Sequence, residues 1–254
     1  MRLFLACCLL LLSACSREPL YHSQSYVFGT LVDISIYGEE EQRAQALSNH
    51  VFKDFQALHD RLHAWQANSK LDRLNKAFAA GTEPVAIDDA LAHMLEDATA
   101  WSVRSGGRFN PAIGHLIQQW GFQRDEFTPV TIDDAAIGKL VAANPQMTDI
   151  VIQGRQVYSK NPAVKLDLGG YAKGYALDRA ADYLRSEGVK HALVNIGGNI
   201  IALGKHGEHA WRVGIQHPRK AGPIATLDLE DGWAIGTSGD YQRYFEQDGK
   251  RYCH

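Results

Sequence analysis

The residues from Lys165 to Asp178 read as a short strand, a glycine pair and the start of a helix: Lys-Leu-Asp-Leu-Gly-Gly-Tyr-Ala-Lys-Gly-Tyr-Ala-Leu-Asp. Free N–H groups at a helix N-terminus carry partial positive charge, and glycines let a phosphate approach the backbone closely. Lys173 adds a full positive charge, and Asp167 could bind ribose, a base or a metal ion. The segment therefore suits phosphate. It matches neither the Walker A pattern nor GxGxxG, so a turn that needs glycine only for positive φ explains these residues equally well.

Two more glycine-bearing turns could contribute to the same site. They are Asn195-Ile-Gly-Gly-Asn199, which follows an apolar stretch, and Gly236-Thr-Ser-Gly-Asp240. Three such turns in one domain indicate a shared site of nucleotide size. The aromatic residues beside these motifs could stack on a planar ring, although any one of them is more often part of a core; the candidates are Phe28, Trp65, Trp120 and Tyr171.

The sequence gives little support to a histidine metal site or to a serine hydrolase site. His59 and His63 are four residues apart on a predicted helix, but the glutamate of HExxH is missing and no third ligand is suggested by spacing. We therefore interpret them as ordinary helical histidines. Ser238 lies in Gly-Thr-Ser-Gly-Asp, which is not the GxSxG turn of a hydrolase.

Charge and cysteine content exclude further classes. The formal net charge is −3, so the chain has no basic footprint for nucleic acid. Cys7 and Cys8 fall in the predicted signal peptide and Cys15 is its predicted acylation site, which leaves Cys253 alone. We expect no internal disulfide in the mature protein.

The N-terminus predicts export. Arg2 precedes an apolar run from Leu3 to Leu12, too short for a membrane span of about 20 residues, and Leu-Ser-Ala-Cys15 follows as a lipobox. We expect a signal peptide at residues 1–14, a lipid on Cys15, a tether over residues 15–24 and a domain over residues 25–254. Ser16 after the cysteine favours the outer membrane over the inner one, with the protein on the periplasmic face.

Two spacings of apolar residues, that of strands and that of helices, predict the elements that must position these motifs. Alternation predicts a strand over Tyr26 to Tyr37, and strand-like stretches recur around Ile150 to Ser159 and Val164 to Leu168. Three helices are predicted, the last over Ala172 to Glu187. The apolar face of the first is Leu47, Val51, Phe55, Leu58 and Leu62, and that of the second is Leu91, Leu95, Ala98 and Trp101. The apolar face of the third is Ala176, Leu177, Ala180, Ala181 and Leu184. Hairpins dominate the C-terminal part, with a turn at Asp248-Gly249. This pattern indicates an α+β fold, one domain of two packed subdomains with mixed or antiparallel sheet and flanking helices.

Taken in order, the motifs resemble those of the FAD:protein FMN transferases of the ApbE type, over essentially the whole mature chain. The matching stretches are Phe28-Gly29-Thr30, Trp65, Ser69 to Asn75, Phe109 to Gly114, Trp120-Gly121-Phe122, Asp167 to Tyr175, Asn195 to Gly198, and Thr237 to Tyr241. The sequence differs from the usual family residues at Phe28, Asn110, Asn199 and Gly236.

The resemblance implies an enzyme that binds FAD with Mg²⁺ and transfers FMN to a Thr or Ser hydroxyl of an exported acceptor protein, with release of AMP. The flavin is then phosphoester-linked to that protein. The implied FAD contacts are Phe28, Trp65, Arg108, Phe109, Asn110, Asp167 and Lys173. The backbone carbonyl of Gly170 would ligate Mg²⁺, and Asp240 and His254 are local candidates for the general base.

The family pattern also extends beyond the end of this sequence. An Ile-Asp-Pro-x-Thr-Gly stretch and a later Asp and Thr would follow His254 and complete the metal site. This sequence is therefore expected to be truncated, to bind Mg²⁺ weakly and to transfer poorly.

Two alternative functions stay open: a Mg²⁺-dependent FAD pyrophosphatase that uses water as the acceptor, and a non-catalytic periplasmic lipoprotein that binds FAD.

Overall fold

The computed structural model describes residues 19–124, 126 and 128–253. The predicted signal peptide, the lipidation site Cys15 and the candidate base His254 lie outside the described residues. Within that part no helix combines the length and the apolar character needed to cross a membrane. The described helices are α1 (Glu41–Leu62), α2 (Lys70–Ala80), α3 (Asp89–Arg104), α4 (Gly114–Gln119), α5 (Asp134–Ala143), the 3₁₀ turn Met147–Asp149, and α6 (Gly169–Ser186).

The described strands form one larger sheet and three small ones. They are β1 (Leu20–Val27), β2 (Thr30–Tyr37), β3 (Val85–Ala86), β4 (Ile150–Gln153), β5 (Gln156–Ser159), β6 (Ala192–Ile196), β7 (Asn199–Leu203), β8 (Trp211–Gln216), β9 (Pro223–Leu229), β10 (Ala234–Gly236), β11 (Tyr244–Gln247) and β12 (Lys250–Cys253). The larger sheet has the order β1-β2-β6-β7-β10; the small sheets are β3-β5-β4, β8-β9 and β11-β12. All pairings between these strands are antiparallel. The α+β prediction is confirmed.

The predicted tether is wrong for its last five residues. Leu20 to Gln24 belong to β1, which pairs in register with β2 from Leu20↔Tyr37 to Val27↔Thr30. The single strand expected over Tyr26 to Tyr37 is therefore two strands joined by Phe28 and Gly29. The physical reason is that β1 lies at a sheet edge, where ladder hydrogen bonds order a polar sequence with little apolar alternation.

Two helices cover one face of the larger sheet. The predicted inward residues of α1 and α6 are all buried, and they pack with Val32, Ile34 and Ile36 of β2 in one core. On α3 the prediction holds for Leu91, Leu95 and Ala98 but is wrong for Trp101, which is 47% exposed at the end of the helix. The Arg104 guanidinium lies over that indole ring at 4.3 Å instead.

A smaller core lies on the opposite face of β7. Along this strand Ile201 and Leu203 face the main core, whereas Ile200 and Ala202 join Trp211, Val213 and Leu229 of β8 and β9. Because successive strand residues point to opposite faces, β7 is buried on both sides. It therefore connects the helical part of the molecule to the C-terminal hairpins.

The segment from Val164 to Leu168 is extended but is not a strand of any sheet. One edge bonds to residues 111–114, through Lys165 N–H to the Ala112 carbonyl (3.2 Å) and Asp167 N–H to the Pro111 carbonyl (2.8 Å). On the other edge the buried Asn75 amide accepts from Leu166 N–H (2.7 Å) and donates to the Leu166 carbonyl (2.9 Å). The strand prediction was thus wrong because a side chain of α2 takes the place of a neighbouring strand.

Replacing Asn75 should destabilise the fold strongly. Asn75→Ala leaves the Leu166 N–H and carbonyl unpaired in the interior, which is expected to lower the free energy of unfolding by about 2–4 kcal/mol. Urea unfolding followed by circular dichroism measures the loss. Asn49→Ala on the exposed side of α1 is the control and should stay within about 0.5 kcal/mol. A similar small change for Asn75→Ala would contradict the importance of this pair of hydrogen bonds.

Candidate functional site

Trp65 and Asp167 are 102 residues apart in sequence and meet at the start of α6. The Trp65 indole Nε1–H donates to Asp167 Oδ2 at 3.0 Å. The other carboxylate oxygen, Oδ1, accepts from the Gly169 backbone N–H at 2.8 Å. Asp167 therefore fixes one end of the Trp65 ring and at the same time places a negative charge at the positive end of the helix.

The glycine pair lies inside α6 and not before it. The helix begins at Gly169, three residues earlier than predicted, and neither Gly169 nor Gly170 has a positive φ. The interpretation of these glycines as a positive-φ turn is therefore wrong. A Cβ at position 169 would lie 3.0 Å from Asp167 Oδ1, and one at position 170 would lie 3.7 Å from Phe109 Cε2. Gly169 therefore allows the close approach of the Asp167 carboxylate, whereas a Cβ at position 170 would make only an ordinary contact with Phe109.

Lys165 is a site residue that sequence reasoning missed. Its Nζ lies 4.3 Å from the centre of the Trp65 ring and donates to Gln118 Oε1 at 2.9 Å. Burial lowers the pKa of Lys165, although Asp72 and Asp167 oppose that shift. The available signal was period-two alternation, which places Lys165 on the same side of the extended segment as Asp167.

Lys173, in the second turn of α6, is a second half-buried cation. Burial lowers its pKa, and the nearby Arg243 guanidinium lowers it further. Lys173 makes no ion pair with any carboxylate in the described part of the chain. A lysine whose charged form is disfavoured by burial and by another cation gains most from a bound anion.

The predicted stretch from Arg108 to Asn110 divides between site and scaffold. Phe109 lies against Gly170, and its N–H is held by Ser105 Oγ at 3.0 Å. The Asn110 amide donates to the Pro145 carbonyl at 2.9 Å and accepts from Ala112 N–H at 3.1 Å, so it fixes the loop. The Arg108 side chain is exposed. Phe109 is the member of this stretch that reaches the first turn of α6.

Two of the three glycine-bearing turns, Asn195–Asn199 and Gly236–Asp240, meet each other and the β1–β2 turn; a site that they share with Gly169-Gly170 stays a prediction. A Cβ at Gly197 would lie 2.4 Å from Thr30 Oγ1, and one at Gly198 would lie 3.5 Å from the Thr237 Cβ. The Thr237 N–H also donates to the Gly198 carbonyl at 3.0 Å. Phe28, in the turn between β1 and β2, lies edge-on to His59 with ring centres 5.7 Å apart. Packing between backbones, and not sequence order, brings the turns together.

Asp240 stands in a different chemical setting from the residues around Asp167. Arg219 Nη2 donates to its Oδ2 at 2.7 Å, and this guanidinium holds the pKa of Asp240 below its usual value. A carboxylate with a lowered pKa is a poor proton acceptor. Its predicted role as general base remains a prediction, and this ion pair weighs against it. Trp120 likewise packs elsewhere, against Tyr252 with ring centres 5.7 Å apart.

A cavity of about 790 Å³ opens between α3 and α6 and reaches Phe109 and Gly170. Its wall includes Tyr171, whose hydroxyl donates to Asp97 at 2.8 Å. Burial, Asp182 and Asp97 together raise the pKa of Asp178. The complete lining is His93, Asp97, Trp101, Ser105, Phe109, Gly170, Tyr171, Gly174, Tyr175, Asp178, Arg179 and Asp182. The carboxylates of Asp97, Asp178 and Asp182 in this lining would repel a phosphate, so the cavity is unsuitable for one.

No three His, Cys, Asp or Glu side chains among the described residues are arranged to hold a metal ion. The carbonyl of Gly170 belongs to the first turn of α6, and a carbonyl oxygen has two lone pairs, of which the helix hydrogen bond uses one. Both Asp167 oxygens accept protein hydrogen bonds. The metal role that the resemblance implies for Gly170 stays a prediction.

The chain is similar in sequence to FAD:protein FMN transferases of other bacteria. An FAD:protein FMN transferase of Rhodobacter capsulatus is 42% identical over 229 residues, which are 90% of this chain and 43% of that protein. One of Klebsiella pneumoniae (strain 342) is 34% identical over 243 residues, 94% of this chain and 72% of that protein. The chain thus spans less than half the length of the Rhodobacter relative.

Solved structures share the fold. The ApbE protein of Thermotoga maritima superposes with a TM-score of 0.82 at 28% identity, covering 93% of this chain and 75% of that one. The flavin transferase ApbE of Vibrio cholerae gives a TM-score of 0.78 at 26% identity, covering 92% and 75%. The sequence model of the ApbE family matches residues 28–254, so the chain belongs to the ApbE family.

Proposed function

We propose that this protein is an FAD:protein FMN transferase, which moves FMN from FAD to a Thr or Ser hydroxyl of an exported protein. The observation that carries the proposal is the meeting of Trp65, Asp167, Lys165 and the start of α6 in one place. It puts an aromatic ring beside an anion site. A flavin attached to a pyrophosphate needs these two features next to each other.

The cations define where the pyrophosphate lies. A pyrophosphate carries about two negative charges, and the start of α6 supplies the positive end of the helix dipole. Lys165 and Lys173 both have pKa values lowered chiefly by burial, so a bound anion would restore their charged forms. We place the two phosphates between these ammonium groups, with the isoalloxazine toward Trp65 and Phe28.

The adenosine half extends in the opposite direction. Phe109 lies against Gly170 and also lines the cavity between α3 and α6. That cavity offers the Tyr171 and Trp101 rings for a base, and its carboxylates can accept hydrogen bonds from ribose hydroxyls and an amino group. Phosphate would be repelled there, which agrees with its placement at the lysines.

The reaction is a displacement at phosphorus. The acceptor hydroxyl oxygen forms a bond to the FMN-side phosphorus, the bond from that phosphorus to the bridging oxygen breaks, and AMP leaves with the electron pair. The hydroxyl proton must pass to a base or to solvent. The helix N-terminus and the two lysines stabilise the charge on the phosphate oxygens and on the departing AMP.

Two alternatives differ from transfer only in the acceptor or in the absence of chemistry. With water as the acceptor, the protein would be an FAD pyrophosphatase that yields free FMN and AMP. Without any reaction, it would be a lipoprotein that retains FAD. The proposed arrangement would hold the pyrophosphate equally well in all three cases. The preference for transfer therefore rests on the names of the relatives.

We also propose a lipid-anchored location on the periplasmic face of a bacterial membrane, the outer one in preference to the inner. It rests on the apolar run that ends in Leu12-Ser13-Ala14-Cys15 and on Ser16. FAD and the acceptor must then be present in that compartment.

Transfer should be slow for this chain and should saturate poorly with Mg²⁺, because the described residues hold no group of three metal ligands. The chain is incubated with FAD, Mg²⁺ and an acceptor that carries a Thr-containing flavinylation motif, beside the Klebsiella relative. Transfer gives a fluorescent acceptor band and AMP; hydrolysis gives free FMN; binding alone gives neither. A rate and Mg²⁺ dependence equal to those of the relative would contradict the expectation of weak Mg²⁺ binding.

Removing the charge of Lys173 should weaken FAD binding and leave riboflavin binding unchanged. Lys173→Ala deletes a charged contact to phosphate, which is expected to raise the Kd for FAD roughly tenfold. Quenching of flavin fluorescence measures both ligands, and Lys53→Ala on the exposed side of α1 is the control. An equal loss for riboflavin, which has no phosphate, would show that Lys173 supports the fold and not the pyrophosphate.

FAD affinity should also fall as the pH rises. Because burial and Arg243 lower the pKa of Lys173, its ammonium loses its proton at a lower pH than an ordinary lysine does. Binding that depends on the charged form then weakens as the pH rises through that lowered pKa. Lys173→Arg keeps its charge throughout, so its FAD Kd should change less between about pH 7 and about pH 9.5, with Lys165 as the remaining titrating lysine. Parallel pH profiles for both proteins would refute this.

A further inference from the structure

Three rings contact one another in turn at the C-terminal end of α1, those of Phe28, His59 and His63, and a hydrogen bond links His63 to Trp65; these four residues are here called the ring row. Phe28 and His59 meet edge-on with centres 5.7 Å apart, and His59 meets His63 edge-on at 5.0 Å. His63 is joined to Trp65 by a hydrogen bond from the Trp65 backbone N–H to His63 Nδ1 at 3.2 Å. The two histidines that look like surface residues in the sequence thus connect the two aromatic residues assigned to the flavin.

Phe28 enters the row from a strained turn. Phe28 and Gly29 form the two-residue connection between β1 and β2, with φ values of 57° and 68°. Such a turn favours Asn and Gly, and a left-handed conformation is unfavourable for a residue like Phe. Phe28 has no polar side-chain atom that could offset this by a local hydrogen bond. Its ring instead packs between Phe55, at 5.8 Å, and His59.

His63 holds the backbone at Trp65 in a defined conformation. It is the first residue after α1, and its carbonyl accepts from Ser69 Oγ at 2.7 Å. Its Nδ1 accepts the Trp65 backbone N–H at 3.2 Å. Trp65 is consequently fixed twice, through its backbone by His63 and through its indole by Asp167.

A metal-binding role for the histidine pair does not fit these contacts. His63 Nδ1 is already engaged by a backbone donor. The described residues also contain no group of three His, Cys, Asp or Glu that could hold a metal ion. The spacing of four residues on α1 instead lets the rings of His59 and His63 contact each other on one side of the helix.

We infer that His63 is a positioning residue for flavin binding, which orients Trp65 before FAD arrives and, through His59, extends the same support to Phe28. The inference rests on the proposed function, in which Trp65 and Phe28 contact the isoalloxazine. Pre-orientation lowers the entropy lost on binding, because the Trp65 side chain is already held where the ligand needs it. His63 therefore raises the affinity for FAD and does not change the rate of the chemical step.

The test compares three variants: His63→Ala, His63→Asn and His50→Ala. Alanine removes the acceptor for the Trp65 N–H, whereas asparagine can replace it, because its side-chain oxygen bonds to a backbone N–H two residues on. His50 is the matched control: it is another histidine of α1 whose ring stacks on a neighbour, Tyr183, at 4.0 Å. The readouts are the Kd and KM for FAD, kcat, and the Trp65 indole N–H signal in the NMR spectrum of ligand-free protein, assigned with Trp65→Phe.

We expect His63→Ala to raise the Kd and KM for FAD about five- to tenfold with kcat changed less than about twofold. Its Trp65 indole signal should shift or broaden without ligand. His63→Asn should restore both readouts, and His50→Ala should leave them unchanged.

Unchanged FAD affinity in His63→Ala, or equal losses in the Ala and Asn variants, would overturn the positioning role. Failure of the proposed function looks different. The unmodified protein would then not bind FAD, while the ligand-free NMR signal would still report whether His63 holds Trp65.

Discussion

The two hydrogen bonds between the Asn75 amide and the backbone of Leu166 are the constraint on which the site depends. They satisfy a buried N–H and a buried carbonyl in a segment that has no neighbouring strand on that edge. Without them, desolvation of both groups would oppose burial of the segment. Because Lys165 and Asp167 flank Leu166, the same interaction fixes the direction in which the ammonium and carboxylate project.

The position of α6 follows from that segment. Asp167 leads directly into Gly169, and its carboxylate bonds to the first N–H of the helix while it also holds the Trp65 indole. The start of the helix, an aromatic ring and the half-buried Lys165 are thereby brought together, and Lys173 follows in the second turn of the same helix. Burial alone would disfavour both charged lysines, so the arrangement favours a ligand that brings negative charge with it.

Two kinds of local strain surround this site and are balanced by packing. Phe28 keeps a left-handed backbone because Phe55 and His59 hold its ring. Lys173 keeps a charge close to Arg243, which lowers its pKa. Neither feature stabilises the protein in isolation. Both become favourable if a planar ring and a pyrophosphate occupy the site, which relates the fold to the proposed transfer of a flavin.

The amino-acid sequence by itself determined the fold class, the inward faces of α1 and α6, and the C-terminal hairpins. These features are local: they follow from the periodicity of apolar residues and from turn residues, which act over a few neighbours. The ordered motifs also pointed to the ApbE family. None of this required knowledge of which distant residues touch.

Only the tertiary structure decided the features that depend on long-range contacts. Leu20 to Gln24 form a strand because β2 is beside them, and Val164 to Leu168 form none because Asn75 takes the partner's place. The glycines at 169 and 170 do not have positive φ, and Gly169 allows the close approach of Asp167. Lys165 joins Trp65 through a contact between segments that the spacing of residues in one chain does not encode. Side-chain hydrogen bonds and ring contacts of this kind are set by three-dimensional packing, so they become visible only when the chain is folded.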